Sequence, residues 1–329
     1  MMHREEIPLY NNDTALPKLT VGEVITGLWH RNKYLVIRKI GEGANGCVYL
    51  VAQQSQQVAL KLGRDANAIS LEYRHLQIVE KQIRHVLIGP QAFELDDCEL
   101  ERKRWSFFTM NYVHGETIDR FLSRNGVSFA PFCLMRCLRS VHALHEIGYS
   151  FGDSKPANIL IDPSTFQVSF VDFAGMTRFD HAIKEFTGLY DRAFWGIGAR
   201  KAEPLYDFIA LALIIVFSVA PITKEQERTL LTFSQSQRKK WLVQHLTRHQ
   251  QSATSLFHLI EKILLADPPL TPESALAQGA SLLQEQATAK KSSKKKKTRT
   301  HIPLLVQSLL VTAGLCVVCM SVLFIWLLR

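Results

Sequence analysis

The sequence predicts an α+β fold in two lobes, an antiparallel sheet followed by a helical part, with one apolar segment appended after both. Three observations carry this. Residues 34–60 alternate strand-like runs with turns, Y-L-V-I-R-K-I, then C-V-Y-L-V-A, then Q-V-A-L-K-L, as an antiparallel meander does. Beyond His114-Gly115, apolar residues recur at helical spacing, first at Leu134, Leu138, Val141 and Leu144 and then through residues 205–286. Residues 302–328 carry no charge.

Taken in order, residues 1–29 read as an irregular arm with turn signals at Asn11-Asn12-Asp13 and Pro17. The folded domain is expected over 30–285, its first lobe at 30–113 and its second at 114–285. After the meander, Ile69, Tyr73, Leu76, Ile78 and Val79 give residues 68–82 the apolar face of a helix, and 90–93 and 105–113 read as two more strands. Residues 208–220 are almost wholly apolar, yet thirteen residues make a helix of only ~20 Å, short of a bilayer core, so a buried helix is expected. Residues 302–328 are long enough to cross ~30 Å of hydrocarbon with some tilt and are expected to form a transmembrane helix.

The formal charge of +9 suggests a nucleic-acid binder until it is located along the chain. Lys290, Lys291, Lys294, Lys295, Lys296, Lys297 and Arg299 supply seven of those charges, with no acid between Ala289 and His301, and the rest is nearly neutral. Residues 286–301 thus form a basic linker, and the positive-inside rule places everything before it in the cytoplasm, on a single-pass cell-membrane protein. Such a tract also holds anionic lipid headgroups, at ~1 kcal/mol per basic residue. The six cysteines, at 47, 98, 133, 137, 316 and 319, make no disulfide framework, which fits a reducing compartment. Cys316 and Cys319 form a C-x-x-C inside the apolar run and read as packing residues.

Gly41-Glu42-Gly43-Ala44-Asn45-Gly46-Cys47-Val48 sits between two strands, after Ile40. Glycines there let backbone N–H groups close over phosphates; a dinucleotide fingerprint would open a helix instead of returning into a strand. Val58-Ala59-Leu60-Lys61 ends a strand on a lysine suited to the α- and β-phosphates of a nucleotide, with Glu72 on the next helix as its ion-pair partner and Glu80 as the weaker choice. The segment Leu144-His145-Glu146-Ile147-Gly148-Tyr149-Ser150-Phe151-Gly152-Asp153-Ser154-Lys155-Pro156-Ala157-Asn158-Ile159-Leu160 strongly resembles the catalytic loop of protein kinases. Fourteen residues beyond Asn158, Phe170-Val171-Asp172-Phe173-Ala174 resembles their metal-binding D-F-G.

That resemblance implies a two-lobed kinase fold and γ-phosphoryl transfer from ATP. Asp153 would accept the substrate hydroxyl proton and Lys155 stabilise the moving phosphoryl group; Asn158 and Asp172 would hold the metal. Their oxygen donors suit Mg2+ or Mn2+ rather than zinc. Glycines 41, 43 and 46, with Glu42, would cover the phosphates. Val48, Ala59 and Leu160 would enclose the adenine, and Met110-Asn111-Tyr112-Val113 resembles the hinge that pairs with it.

Three departures accompany the match. Phe151-Gly152-Asp153 stands for H-R-D, so the arginine that pairs with a phosphorylated activation segment is missing. Ala174 replaces the glycine after D-F, and only three residues separate Glu203 from Tyr206 and Asp207 where a longer connection is usual. Tyr190-Asp191-Arg192 and Trp195 through Pro204, with the F-G-D-x-K-P-x-N loop and the C-terminal anchor, resemble the membrane-anchored YabT-type kinases, bacterial Hanks-type serine/threonine kinases of spore-forming bacteria. The resemblance implies phosphorylation of cytoplasmic proteins and of itself on Ser or Thr, Thr187 and Thr177 and then Tyr190 being candidate acceptors. It further implies stimulation by DNA bound without sequence preference to basic residues, Lys290 to Arg299 among them. A pseudokinase, a small-molecule kinase and a DNA- or membrane-tethering protein are the rival readings.

Overall fold

The computed structural model describes residues 16–43 and 45–297, in two units that divide after Ala280. In the first unit six antiparallel strands form one sheet: β1 (Val24–Thr26), β2 (Lys33–Gly43), β3 (Gly46–Gln53), β4 (Gln56–Gly63), β5 (Ala92–Leu100) and β6 (Lys103–Asn111), in the order β1-β2-β3-β4-β6-β5. Helix α1 (Ala66–Gln82) interrupts the meander between β4 and β5. It starts at Asp65, whose side chain accepts from Asn67 N, the usual way an N-cap satisfies a helix's free amides. It lies close on β4 because Gly63 has no side chain: a Cβ there would sit 2.0 Å from Ile69.

Residues 16–29, expected as an irregular arm, carry one short strand, β1, and otherwise irregular backbone that packs on the sheet lobe. Leu16 and Ile25 are buried in the core of the sheet lobe, and β1 pairs with β2. The loop after β1 is clasped by β5: Asp96 Oδ1 accepts from Trp29 N and Oδ2 from His30 N, both at 2.9 Å. Glu94 accepts from Asn32 Nδ2 at 2.6 Å and from the Tyr34 hydroxyl at 2.7 Å. His30, Glu94 and Asp96 are also grouped as metal ligands could be, but these carboxylates already serve the clasp.

The second lobe is mainly helical: α2 (Ile118–Asn125), α3 (Ala130–Glu146), α4 (Pro204–Val219), α5 (Lys224–Thr232), α6 (Gln235–His249) and α7 (Thr254–Leu265). Short pairs add two small sheets, β7 (Glu116–Thr117) with β9 (Ile159–Ile161) and β10 (Val168–Phe170), and β8 (Tyr149–Ser150) with β11 (Thr177–Arg178). Helix α4 is buried from Tyr206 to Phe217 and packs against α2, α3 and α7, as a helix apolar on every face must. At ~1.5–3 kcal/mol for each large apolar side chain fully buried, it is the centre of this lobe's core. α5 and α6 each begin in a reciprocal capping box, Thr223 with Gln226 and Ser234 with Gln237.

Helix α8 spans Pro272–Lys297. Among the described residues no helix is long and apolar enough to cross a membrane; the expected span at 302–328 lies outside them.

Candidate active site

Lys61 is buried on β4, its Nζ 2.5 Å from Glu72 Oε2 and 2.9 Å from Asp172 Oδ1. The chain reaches Glu72 only eleven residues after Lys61 because Gly63 lets α1 lie close on the strand it follows. Glu80 is exposed and outside this cluster. Burial alone would lower the Lys61 pKa, but the charges of Glu72 and Asp172 and their hydrogen bonds hold it above its ordinary value. Burial pushes Glu72 up to about 7, with the Asp172 charge adding to it and the Lys61 ammonium opposing.

Asp172 sits in the left-handed region at φ 66°. Its neighbour Phe173 is fully buried, edge-on to Phe151 at 5.3 Å, and the Phe173 carbonyl is 2.9 Å from His75 Nδ1 on α1. That distance requires Nδ1 to carry the proton. Burial lowers the His75 pKa. The D-F-A segment is therefore fixed to the helix that carries Glu72.

The loop carrying Asp153 hangs on α4. Asp207 Oδ2 accepts from Phe151 N and His145 Nε2, both at 2.9 Å, and its Oδ1 from Gly152 N at 3.0 Å. Gly152 has φ +85°, and a Cβ on it would lie 2.4 Å from Gly175 O. The residue that replaces the usual arginine is thus one this loop requires to be glycine. At Gly175 a Cβ would lie 3.0 Å from both Asp153 N and Asp153 Cβ, so the crowded position is the one after Ala174.

Asp153 is 7% exposed and accepts from three side chains: its Oδ2 from Lys155 Nζ at 2.5 Å, its Oδ1 from the Thr187 hydroxyl at 3.1 Å, and its carbonyl from Asn158 Nδ2 at 2.9 Å. The last bond commits the Asn158 amide nitrogen and leaves Oδ1 as its donor toward a cation. Asn158 O in turn accepts from Val171 N at 2.9 Å, next to Asp172. An amide oxygen and a carboxylate suit a hard divalent cation, so these residues fit Mg2+ or Mn2+.

The predicted nucleotide residues fall along the sheet's strands and at the linker to the second lobe. Gly41 pairs with Val48, Val48 with Lys61, and Ala59 with Met110. Ile40, Val48, Val113 and Leu160 are half-buried, and Leu160 lies in β9 opposite Thr117, just past the linker. Gly46 is glycine for the fold, since a Cβ would meet Leu62 O at 2.3 Å. A Cβ on Gly41 would make only ordinary contact with Val48, at 3.8 Å, and one on Gly43 would meet nothing within 4 Å. The Glu42 side chain is turned out to Lys39 Nζ at 2.5 Å, so at this position only the backbone is available to a nucleotide. Asn45 Nδ2 donates to Glu185 Oε2 at 3.2 Å, joining the hairpin tip to the segment before Thr187.

Two features were not read from sequence as parts of the site: the Asp207 bonds that hold the loop, and Thr187 as a partner of Asp153. Thr177 donates its hydroxyl to Gly175 O at 2.9 Å, and burial pushes the Tyr190 pKa up to about 12.

The sequence profile of the family described as "Protein kinase domain" matches residues 34–277. Serine/threonine-protein kinase YabT of Bacillus subtilis (strain 168) is 37% identical over 203 residues, 61% of this chain and 60% of YabT. Serine/threonine-protein kinase PknG of Mycobacterium leprae (strain TN) is 26% identical over 177 residues, 50% of this chain and 22% of PknG. The chain therefore spans less than two thirds of either relative. The solved structure of vaccinia related kinase 3 covers 82% of this chain and 93% of its own, with TM-score 0.57 at 13% identity, which speaks to the fold alone.

Proposed function

The chain belongs to the protein kinase family, and from that premise we propose that it transfers the γ-phosphoryl group of ATP to serine or threonine hydroxyls of proteins. The observation that carries this is the Thr187 hydroxyl donating to Asp153 Oδ1 at 3.1 Å: the carboxylate stands where an aliphatic hydroxyl can give up its proton. Asp153 orients the acceptor hydroxyl and receives its proton as the oxygen bonds to the γ-phosphorus, and the bond from that phosphorus to the β–γ bridging oxygen breaks to release ADP. Lys155, beside Asp153, neutralises charge on the moving phosphoryl group. Lys61, aimed by Glu72 and Asp172, holds the α- and β-phosphates, under the backbone of residues 41–46. Met110 and Val113 border the adenine, between Ile40, Val48 and Ala59 on one side and Leu160 on the other.

Mg2+, or Mn2+ in its place, would be held by Asn158 and Asp172 and supply positive charge to the phosphate oxygens. The protein's part is to fix those two donors, through the Asn158 bond to Asp153 O and the Asp172 bond to Lys61.

The finer reading follows the sequence. Residues 302–328 anchor the chain in the cell membrane with the kinase domain in the cytoplasm, and Lys290 to Arg299 lie on anionic lipid or bind DNA that stimulates the kinase. Of the three autophosphorylation candidates, Thr187 is the one whose hydroxyl faces Asp153.

The test is phosphate transfer from radiolabelled ATP by the full chain, with and without DNA, offered a generic protein acceptor and in parallel an aminoglycoside. Label recovered as phosphoserine or phosphothreonine supports the proposal. Label on the aminoglycoside alone makes the chain a small-molecule kinase, and nucleotide binding without any transfer makes it a pseudokinase.

A further inference from the structure

Away from Lys61 and Asp153, two concavities adjoin where the end of α1 and the loop at 83–91 meet α3. One, of about 640 Å3, has Lys81, Arg84 and His85 in its wall; the other, of about 380 Å3, has Arg136 and Arg139, and His85, Val86 and Leu87 belong to both. Glu80 is the single acid lining the first, and no acid lines the second. Lys81, Arg84, Arg136 and Arg139 are exposed, and among the described residues none of these four is in an ion pair, whereas His85 Nε2 lies 3.6 Å from Glu146 Oε2. Arg136 lies over the Phe132 ring at 5.3 Å. At the junction Leu87 is 53% exposed, over a floor that includes the buried Ile83, Ile88 and Val168.

We infer that this face docks an acidic protein segment, its carboxylates on Arg84, Arg136 and Arg139 and an apolar side chain on Leu87. Unpaired cations around an exposed leucine in a concave wall ask for a ligand that brings both kinds of group. A nucleic-acid duplex brings phosphates but no apolar side chain and is too wide to enter either concavity, and a bilayer surface is flat where this face is hollow.

The position gives the contact a consequence. Ile88 O accepts from Phe170 N at 2.7 Å and Leu87 O from Gln167 Nε2 at 3.2 Å, while Gly89 makes room for the Phe173 ring, 2.5 Å from where a Cβ would lie. A segment seated on the loop bears on the residues around Asp172 and on the end of the helix that carries Glu72.

The test titrates the purified full chain with a fluorescein-labelled peptide of glutamates interspersed with leucines, and in parallel with a labelled short DNA duplex and with phosphatidylglycerol vesicles. Three variants accompany it: Arg136→Ser with Arg139→Ser, Leu87→Ser, and a control with Lys294, Lys295, Lys296 and Lys297 changed to Gln. The expected result is a peptide Kd raised about tenfold by the arginine pair, raised by Leu87→Ser, and unmoved by the control. The peptide should also slow amide hydrogen exchange at 83–91. Unchanged peptide affinity in the arginine variant overturns the inference. So does loss of binding only in the lysine control, or a duplex or vesicle, in place of the peptide, being the probe that depends on Arg136 and Arg139. These readouts are of binding and stand whether or not the chain transfers phosphate.

Discussion

Gly41 and Gly43 in the first hairpin and Gly152 in the loop before Asp153 all stand out in the sequence, and they are glycine for opposite reasons; Gly46, whose Cβ would meet Leu62 O at 2.3 Å, belongs with Gly152. A Cβ on Gly41 would come no nearer than 3.8 Å to Val48, and one on Gly43 would meet nothing within 4 Å. Around Gly152 and Gly175 the space is taken, by Gly175 O at 2.4 Å from one Cβ position and by Asp153 at 3.0 Å from the other. The first pair leaves uncrowded the space that the proposed nucleotide would take; the second lets the protein close on itself. A glycine in a motif thus marks either a ligand's space or the chain's own, and only the surroundings tell which.

The sharpest way to break this contrast is Gly152→Ala. It adds a Cβ at a positive φ and into backbone, and should destabilise the domain by about 3 kcal/mol or more, read as a lower Tm and lost activity. A Gly152→Ala chain that melts like the wild type would show that the backbone at Gly175 O does not need the space a glycine leaves. Next comes Glu72→Gln, which removes the carboxylate that aims Lys61 and should lower kcat/KM for ATP by about tenfold or more. In the wild type, kcat/KM should fall as the pH drops through about 7 and Glu72 takes up a proton, and in Glu72→Gln that slope should be absent.

Gly43→Ala should behave as the mirror of Gly152→Ala. Its unfolding free energy should stay within about 0.5 kcal/mol of the wild type while the KM for ATP rises about fivefold, because the added methyl meets the nucleotide and not the protein. The smallest effect is expected at His245, buried under Trp241 with Nε2 3.0 Å from Ala220 O and Nδ1 without a partner. Burial lowers its folded-state pKa below 6.5. Its contribution to stability is therefore present above pH 6.5 and lost as the pH falls through the lower folded value. His245→Gln, which can still donate to Ala220 O, should flatten the decline of Tm between about pH 7 and 5.

How much of this was legible in the sequence depended on how local each signal was. The meander at 34–60 announced itself through turns set between strand runs, and Lys61, Asp153, Asn158 and Asp172 through fixed spacings. β1 did not, because three residues with Val24 half exposed make no period, and the loop after it is held by Asp96, 67 residues away from Trp29. β5 was seen only at its start. Its E-L-D-D-C-E run looks poor for a strand, and its acids turn out to be acceptors for the clasp and for Ser106 and Arg104. The missing arginine at Gly152 read as lost regulation, whereas the structure gives it a steric cause. Thr187 read as a phosphate acceptor; its bond to Asp153 spans 34 residues, beyond any local pattern.

In the proposed reaction Asp153 takes the proton of an acceptor hydroxyl. That step is read from the single-turnover rate of phosphoryl transfer from ATP by wild type and Asp153→Asn, with nucleotide affinity measured beside it. The expected rate in Asp153→Asn is lower by about 10²–10⁴-fold with ATP affinity essentially unchanged. An Asp153→Asn chain that transfers phosphate at near the wild-type rate would contradict it.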